Sequence, residues 1–135
     1  MYVKDGKALP VNLTINYPTG WNILSAAGKP GQNSFVLPNY DLLIDHPVML
    51  GKFFLTSFQD RKNIYYVAIA GDIDKKYIPS FVERIKQVQA TAEKIFPPIE
   101  TNSYVDFFLF PPFAGQWSDG LEHLDSFLIY LNQAL

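Results

Sequence analysis

A single amphipathic segment lies between two strongly apolar runs of this sequence. Across residues 79–96 apolar side chains recur at helical spacing, Pro79 suits the first turn, and Pro97-Pro98 ends the pattern. The runs 63–70 and 104–110 are rich in aromatic and β-branched residues, which is typical of buried strands. The predicted apolar stripe consists of Phe81, Ile85, Val88, Ala92 and Ile95, and the opposite face, which includes Glu93, is expected to be solvated.

The remaining segments indicate further strands. Residues 11–17 alternate between apolar and polar side chains, the two-residue period of a strand with one solvent-exposed face. Residues 52–58 and 63–70 flank a polar turn and predict a β-hairpin. Segment 40–47 fits a strand or a helical turn, and 121–135 a strand that continues into a short helix or tail. The predicted fold class is α+β, with a mixed, largely antiparallel sheet and one long amphipathic helix packed on it.

Composition narrows the class of protein. The chain has 135 residues, of which 48% are hydrophobic, 16% aromatic and 18% charged, and this balance excludes a disordered chain. The net charge of −2 predicts neither nucleic acid nor an anionic membrane as a partner. The absence of cysteine excludes disulfides, thiolate metal sites and a cysteine nucleophile. No signal peptide and no membrane-spanning run is present, so the compartment is left open.

Few residues in this chain are suited to catalysis. His46 and His123 are the only histidines, and neither belongs to a His-Glu-x-x-His zinc signature. A metal site made from them with Glu122 or Asp45 would need the fold to bring these residues together, and a lone histidine is more often structural. The sequence contains no phosphate-binding glycine loop and no Gly-x-Ser-x-Gly motif. We therefore predict no catalytic residue and no metal ligand in this chain.

Residues 119–126 form a candidate peptide-binding segment. They follow a long aromatic loop and precede an apolar run, as expected for a strand at the edge of a sheet. The backbone of an edge strand can pair with a peptide, and the carboxylate of Glu122 can bind a cationic amine. The alternative interpretation is a glycine turn with ordinary polar residues at the start of a strand.

The loop 110–117 supports a different hypothesis. It places Phe110, Phe113 and Trp117 in a long irregular segment, and exposed aromatic residues favour contacts with proteins or carbohydrates. On this hypothesis the chain is a self-contained β-rich binding module.

Two motifs resemble those of a known family. Residues 40–51, YDLLIDHPVMLG, resemble the Tyr-Asp-x-Leu-x-Asp-x-Pro-x-x-x-Gly stretch of the M61 glycyl aminopeptidase family. Residues 120–126, GLEHLDS, resemble that family's Gly-Gly-Leu-Glu-His-x-x-Ser motif. The Pro-x-Gly-Trp turn at 18–21 precedes both, and the order along the chain is also similar.

The resemblance implies a larger protein with an N-terminal β-rich domain, a thermolysin-like zinc peptidase domain and often a PDZ domain. In the family the zinc-binding helix follows the Gly-Leu-Glu-His motif, and this sequence stops before it. We therefore predict a fragment upstream of the zinc-binding helix. Residues 1–38 are expected to end the β-rich domain, and 39–135 to form the first part of the peptidase domain, without the zinc site. No cofactor is expected in this chain, and zinc is expected in the full-length parent.

The resemblance also implies a role for the second motif. In related zinc aminopeptidases a Gly-x-x-Glu-Asn strand lies along the substrate, and its glutamate binds the free α-amine. By similarity, the substrate-binding residues would be Gly120, Leu121, Glu122 and His123, and the partner would be the N-terminus of a peptide. Asp119 replaces the first glycine of the family pattern, so a parent that is an inactive pseudo-peptidase is an alternative. The fragment is expected to self-associate through 127–131 or a neighbouring open edge.

Overall fold

Two short antiparallel sheets precede a five-stranded mixed sheet along the chain. The computed structural model describes residues 4–96, 101–111 and 118–131. In the first part, β1 (Val11–Thr14) pairs with β3 (Ser34–Leu37), and β2 (Asn22–Ser25) pairs with β4 (Val48–Gly51). The short helix α1 (Tyr40–Ile44) connects β3 to β4.

The five-stranded sheet contains both parallel and antiparallel pairs. The strand order is β5-β6-β7-β9-β8, with β6 and β7 parallel, β7 and β9 parallel, and both outer pairs antiparallel. Helix α2 connects β6 to the parallel β7, so the three elements form a βαβ unit. The bounds are β5 (Phe54–Asp60), β6 (Asn63–Gly71), α2 (Ile78–Ile95), β7 (Ser103–Phe110), β8 (Asp119–Glu122) and β9 (Ser126–Tyr130).

The predicted class is confirmed as a mixed α+β fold with largely antiparallel strand pairing. Two local predictions hold: the hairpin is β5–β6, and the helical alternative for segment 40–47 is the one observed. The prediction for 121–135, one strand that continues into a short helix or tail, is wrong within the described residues 121–131, because this segment contributes to two strands of a hairpin. The chain reverses where the His123 backbone N–H donates to the Ser126 carbonyl oxygen at 2.8 Å.

The five-stranded sheet is covered on both faces, because successive side chains of a strand point to opposite sides. On one face, Ile78 and Ile85 of α2 pack with Val67, Ile69 and Phe108. On the other face, the β2–β4 ribbon covers a second apolar cluster. This cluster consists of Leu24, Met49, Ala68, Val105 and Phe107.

A third cluster lies on the outer side of the β2–β4 ribbon. Ile23, Phe35 and Leu37 are buried there, and Leu42 and Leu43 of α1 pack against them. The ribbon therefore joins the β1–β3 sheet and α1 to the five-stranded sheet. Strands β2 and β4 pair across residue 38, where the sequence analysis places a domain boundary, and the division into 1–38 and 39–135 stays a prediction.

Helix α2 contacts the sheet through a different stripe from the predicted one. Ile85 is buried, but Val88 and Ile95 are 67% and 71% exposed. Glu93, predicted to be solvated, has a side chain that is only 10% exposed; its carboxylate accepts a hydrogen bond from the Tyr65 hydroxyl at 3.2 Å and contacts the Arg61 Nε at 3.3 Å. The last turns of α2 therefore face the sheet through a polar residue. The predicted apolar stripe repeats every seven residues, and in a straight helix with 3.6 residues per turn such a stripe drifts around the helix, away from the line of contact with the sheet.

Candidate functional site

The predicted peptide-binding residues lie on the outermost strand of the five-stranded sheet. All four residues of β8 are exposed, and its strand partner is β9. The His123 backbone N–H donates to the Ser126 carbonyl oxygen, so these two residues form a hydrogen-bonded pair at the end of the β8–β9 ladder. In an antiparallel ladder, hydrogen-bonded pairs alternate with pairs whose backbone N–H and C=O groups point outward. By this alternation the backbone N–H and C=O groups of Gly120 and Glu122 point away from β9, toward the open side of the edge.

Gly120 has room for a side chain within this chain. A Cβ atom there would lie 3.6 Å from Ile129 Cγ1 and 3.7 Å from the Leu128 carbonyl oxygen, which are ordinary contacts. The internal packing therefore does not require glycine at this position. The Gly120 N–H donates to the Asp119 carboxylate at 2.8 Å, so the residue that departs from the family pattern covers one outward donor.

Glu122 is exposed and pairs across the hairpin with Phe127, on the face of the sheet that carries α2. Within the described part of the chain its carboxylate makes no ion pair. The negative charge of Glu122 acts on Tyr104. The pKa of Tyr104 is raised to about 12, mainly by burial and then by nearby carboxylates that include Glu122. An exposed carboxylate beside outward backbone groups can bind an ammonium group while the backbone pairs with the rest of a peptide.

His123 differs from the other three predicted site residues. Its side chain is only 10% exposed, and its Nδ1 lies 3.3 Å from the Asp45 carboxylate, which can accept its proton in a hydrogen bond. The other Asp45 oxygen accepts a hydrogen bond from the Leu124 backbone N–H at 2.9 Å, and this bond is the main reason that the pKa of Asp45 lies below its usual value. The two sequence motifs, 78 residues apart, therefore meet at Asp45 and His123.

The second histidine lies beside the first pair. His46 Nε2 is 3.8 Å from Asp125 Oδ2, and its Nδ1 contacts the Leu42 carbonyl oxygen. The fold thus brings each histidine to an aspartate of the other motif. Glu122 lies on the opposite face of the sheet from His123, because adjacent side chains of a strand alternate.

These groups do not form a metal centre. No set of three His, Asp or Glu side chains that could hold a metal ion is found among residues 4–96, 101–111 and 118–131. Each histidine faces an aspartate, and the Nδ1 atom of each ring is engaged by an oxygen atom. A search of the same ranges finds no helix with the length and apolar character needed to cross a membrane.

The structure adds a buried carboxyl group to which the sequence analysis assigns no role. Asp106 is fully buried in β7 between Val67 and Phe127 of the neighbouring strands, and its carboxylate oxygens have no hydrogen-bond partner in the described parts of the chain. Burial raises the pKa of Asp106 to about 7. A carboxylate within an apolar run is the sequence signal that marks such a residue.

The aromatic loop of the alternative hypothesis is described only at its start. Phe110 is half-buried, and its ring centroid lies 5.8 Å from that of Phe81 on α2. This residue therefore packs against the helix. Phe113 and Trp117 lie outside the described residues.

Comparison with known proteins finds similarity to proteins of peptidase families. The fold is similar to the crystal structure of an aminopeptidase N family protein from Idiomarina loihiensis, with a TM-score of 0.71, 23% sequence identity and 92% of this chain covered. The chain spans 22% of that structure's length. No curated protein matches the sequence significantly. Residues 1–52, which include the first motif, match the family model of the peptidase M61 N-terminal domain. The match of residues 1–52 to this N-terminal domain confirms the resemblance to the M61 peptidases.

Proposed function

We propose that this chain forms the substrate-binding edge of a zinc-dependent, M61-like aminopeptidase and does not itself catalyse peptide hydrolysis. The observation that carries the proposal is β8, an exposed edge strand with the Glu122 carboxylate beside outward backbone groups. The match of residues 1–52 to the M61 N-terminal domain supports the peptidase context. Residues 120–126 resemble the family motif that lies along the substrate.

The chemistry of recognition follows from the strand. A peptide that pairs with β8 would exchange hydrogen bonds with the outward backbone groups of Glu122 and with the Gly120 carbonyl oxygen. At the Gly120 N–H it would replace the Asp119 carboxylate, which accepts that hydrogen bond in the free chain. The lack of a side chain at Gly120 allows close approach of another backbone. The Glu122 carboxylate would bind the α-ammonium group of the peptide, and the carboxylate of Asp119 adds a second negative charge to this edge.

Catalysis would depend on residues outside the described part of this chain. No three metal ligands converge within that part, so it does not fit a zinc ion. In zinc peptidases the metal polarises the scissile carbonyl and activates a water molecule. The contribution of this chain is to bind the peptide N-terminus and orient the first peptide bonds along β8.

An NMR titration of the 135-residue chain with trialanine tests the proposal. We expect amide shifts at Gly120 and Glu122, and at least about tenfold weaker binding of N-acetyl-trialanine, because acetylation removes the charge that the carboxylate would bind. Glu122→Gln should weaken trialanine binding by a similar factor. Glu83→Gln is the matched control, because Glu83 is an exposed glutamate of α2 that pairs with Lys86 at 3.5 Å, away from β8.

Two results would contradict the proposal. The first is equal affinity for the free and acetylated peptides, which would exclude recognition of the amine. The second is a folded Glu122→Gln protein that binds trialanine as tightly as the wild type does.

A further inference from the structure

We infer that Asp45 and His46 are positioning residues that hold the β8–β9 turn and thereby set the position of Glu122 and His123. Two His–Asp pairs join the end of α1 to this turn, one between Asp45 and His123 and the other between His46 and Asp125. The inference rests on the proposed function only in its consequence for peptide binding. The attachment of the turn can be measured without a peptide.

Asp45 binds the turn at two points. One carboxylate oxygen lies 3.3 Å from His123 Nδ1, and the other accepts the Leu124 backbone N–H at 2.9 Å. Hydrogen bonds to a charged acceptor are stronger than those between neutral groups. Because the two oxygens bind adjacent residues, the carboxylate opposes both translation and rotation of the turn.

His46 supplies the second attachment. Its Nδ1 faces the Leu42 carbonyl oxygen, which can only accept, so this nitrogen carries a proton. Nε2 faces Asp125 Oδ2 at 3.8 Å, which is within ion-pair range but longer than a hydrogen bond, so this attachment is weaker than the one made by Asp45. The His46 side chain is 8% exposed, so the ring is held within the structure rather than in solvent.

The end of α1 is itself well supported. Leu42 and Leu43 pack against the buried cluster around Phe35, and the Asn39 side chain caps the helix by accepting the Leu42 N–H at 2.9 Å. The Asp45 backbone N–H donates to the Asp41 carbonyl oxygen at 3.1 Å. The position of the Asp45 carboxylate is therefore determined by the core.

The hairpin needs this support because β8 is short and solvent-exposed. Its four residues are all exposed, and β9 is the single strand with which it pairs in the five-stranded sheet. Short edge segments with few buried contacts open easily. Glu122 directly precedes the anchored His123, so the attachments limit how far its carboxylate can move, and misplacement of a binding group by about 1 Å can cost affinity.

Amide hydrogen exchange in the unliganded chain tests the attachment. We expect Asp45→Ala to speed exchange of the Leu124 amide by at least about tenfold, because the variant removes a charged acceptor. Asp45→Asn retains an oxygen acceptor, so it should restore part of the protection and also guards against failure of the alanine variant to fold. Asp41→Asn is the matched control, because Asp41 pairs with Lys7 on the exposed side of the same helix.

Peptide affinity provides the readout that a merely structural role would not move. In a folded Asp45→Ala protein we expect trialanine binding to weaken about tenfold, with partial rescue in Asp45→Asn and none of this loss in Asp41→Asn. His46→Gln should speed exchange of the Leu124 amide by a smaller factor. Unchanged Leu124 exchange in folded Asp45→Ala would overturn the inference.

Failure of the proposed function would look different. If wild-type protein bound no peptide while Asp45→Ala still speeded Leu124 exchange, the peptide-binding role would be lost and the attachment of the turn would stand. If wild-type protein bound trialanine and the folded Asp45→Ala variant bound it equally well, the positioning role would be lost and the proposed function would stand.

Discussion

Asp106 is expected to make this protein less stable as the pH rises from about 4 to about 7. The carboxyl group is fully buried on the α2 side of the sheet and has no hydrogen-bond partner in the described residues. Burial raises its pKa in the folded state from the usual 3.8 to about 7. In this pH range the unfolded chain releases the proton while the folded chain retains it.

The sign and size of the effect follow from proton linkage. Stability falls with rising pH wherever the folded state binds more protons than the unfolded state, and it levels off above the folded pKa. A shift of roughly three pKa units, at about 1.4 kcal/mol per unit, corresponds to about 4 kcal/mol as an upper bound. Water penetration in the folded state would reduce this value.

Asp106→Asn isolates the effect because asparagine has nearly the same shape and cannot ionise. Near pH 4 both side chains are neutral in the folded proteins, and ionisation of Asp106 in the unfolded chain has only begun to lower the stability of the wild type, so we expect the two proteins to unfold at similar urea concentrations. At pH 8 the variant should be more stable by about 2–4 kcal/mol, because it avoids the buried charge. The measurement is urea unfolding at both pH values, followed by circular dichroism.

Asp5→Asn is the matched control, because Asp5 is exposed and its positive φ of 62° suits asparagine equally well. A stability difference between wild type and Asp106→Asn that stays constant from pH 4 to pH 8 would refute the reasoning. A ¹³C NMR titration of the Asp106 carboxyl carbon with a midpoint near 4 would do the same.

Two further predictions concern the backbone and the sheet edge. Gly71→Ala should lower the free energy of unfolding by at least about 3 kcal/mol, because φ is +111° and a Cβ would lie 1.8 Å from the Phe110 carbonyl oxygen. Gly31→Ala is the control: its φ is +83° but the space around it is open, so it should cost only about 1 kcal/mol. Urea unfolding measures both losses, and equal losses would contradict the steric argument. Self-association is expected to involve β8, because the backbone of β9 is already paired on both sides. Light scattering should show an average mass that rises with protein concentration. The mass should fall when Leu121, which is 59% exposed, is changed to lysine. A constant monomer mass at millimolar concentration would exclude self-association.

Local sequence patterns predicted the elements that depend on neighbouring residues. The hairpin of β5 and β6 follows from two apolar runs around a polar turn, and α2 follows from helical spacing that ends at Pro97. The extent of α2 was predicted to within one residue at each end, 79–96 against the observed Ile78–Ile95. Its contact face was not, because Glu93 reaches Tyr65 across the interface and the pattern of apolar residues cannot reveal that partner.

The candidate site divides in the same way. The motif 120–126 identified the segment that contains β8, because an apolar run after a glycine and a carboxylate is a local signal. The meeting of Asp45 with His123, 78 residues away, depends on how the β2–β4 ribbon and α1 pack beside the five-stranded sheet. No local pattern encodes that distance.

Side-chain period and short motifs are enough to predict the α+β class, most of the strands, the position of α2 along the chain and the resemblance to M61 peptidases. The tertiary structure alone decided the parallel pairing of β6 with β7, the edge position of β8 and the burial of Asp106. Strand order and burial arise from contacts between segments far apart in the chain, whose free energy depends on the whole packed arrangement rather than on any one segment.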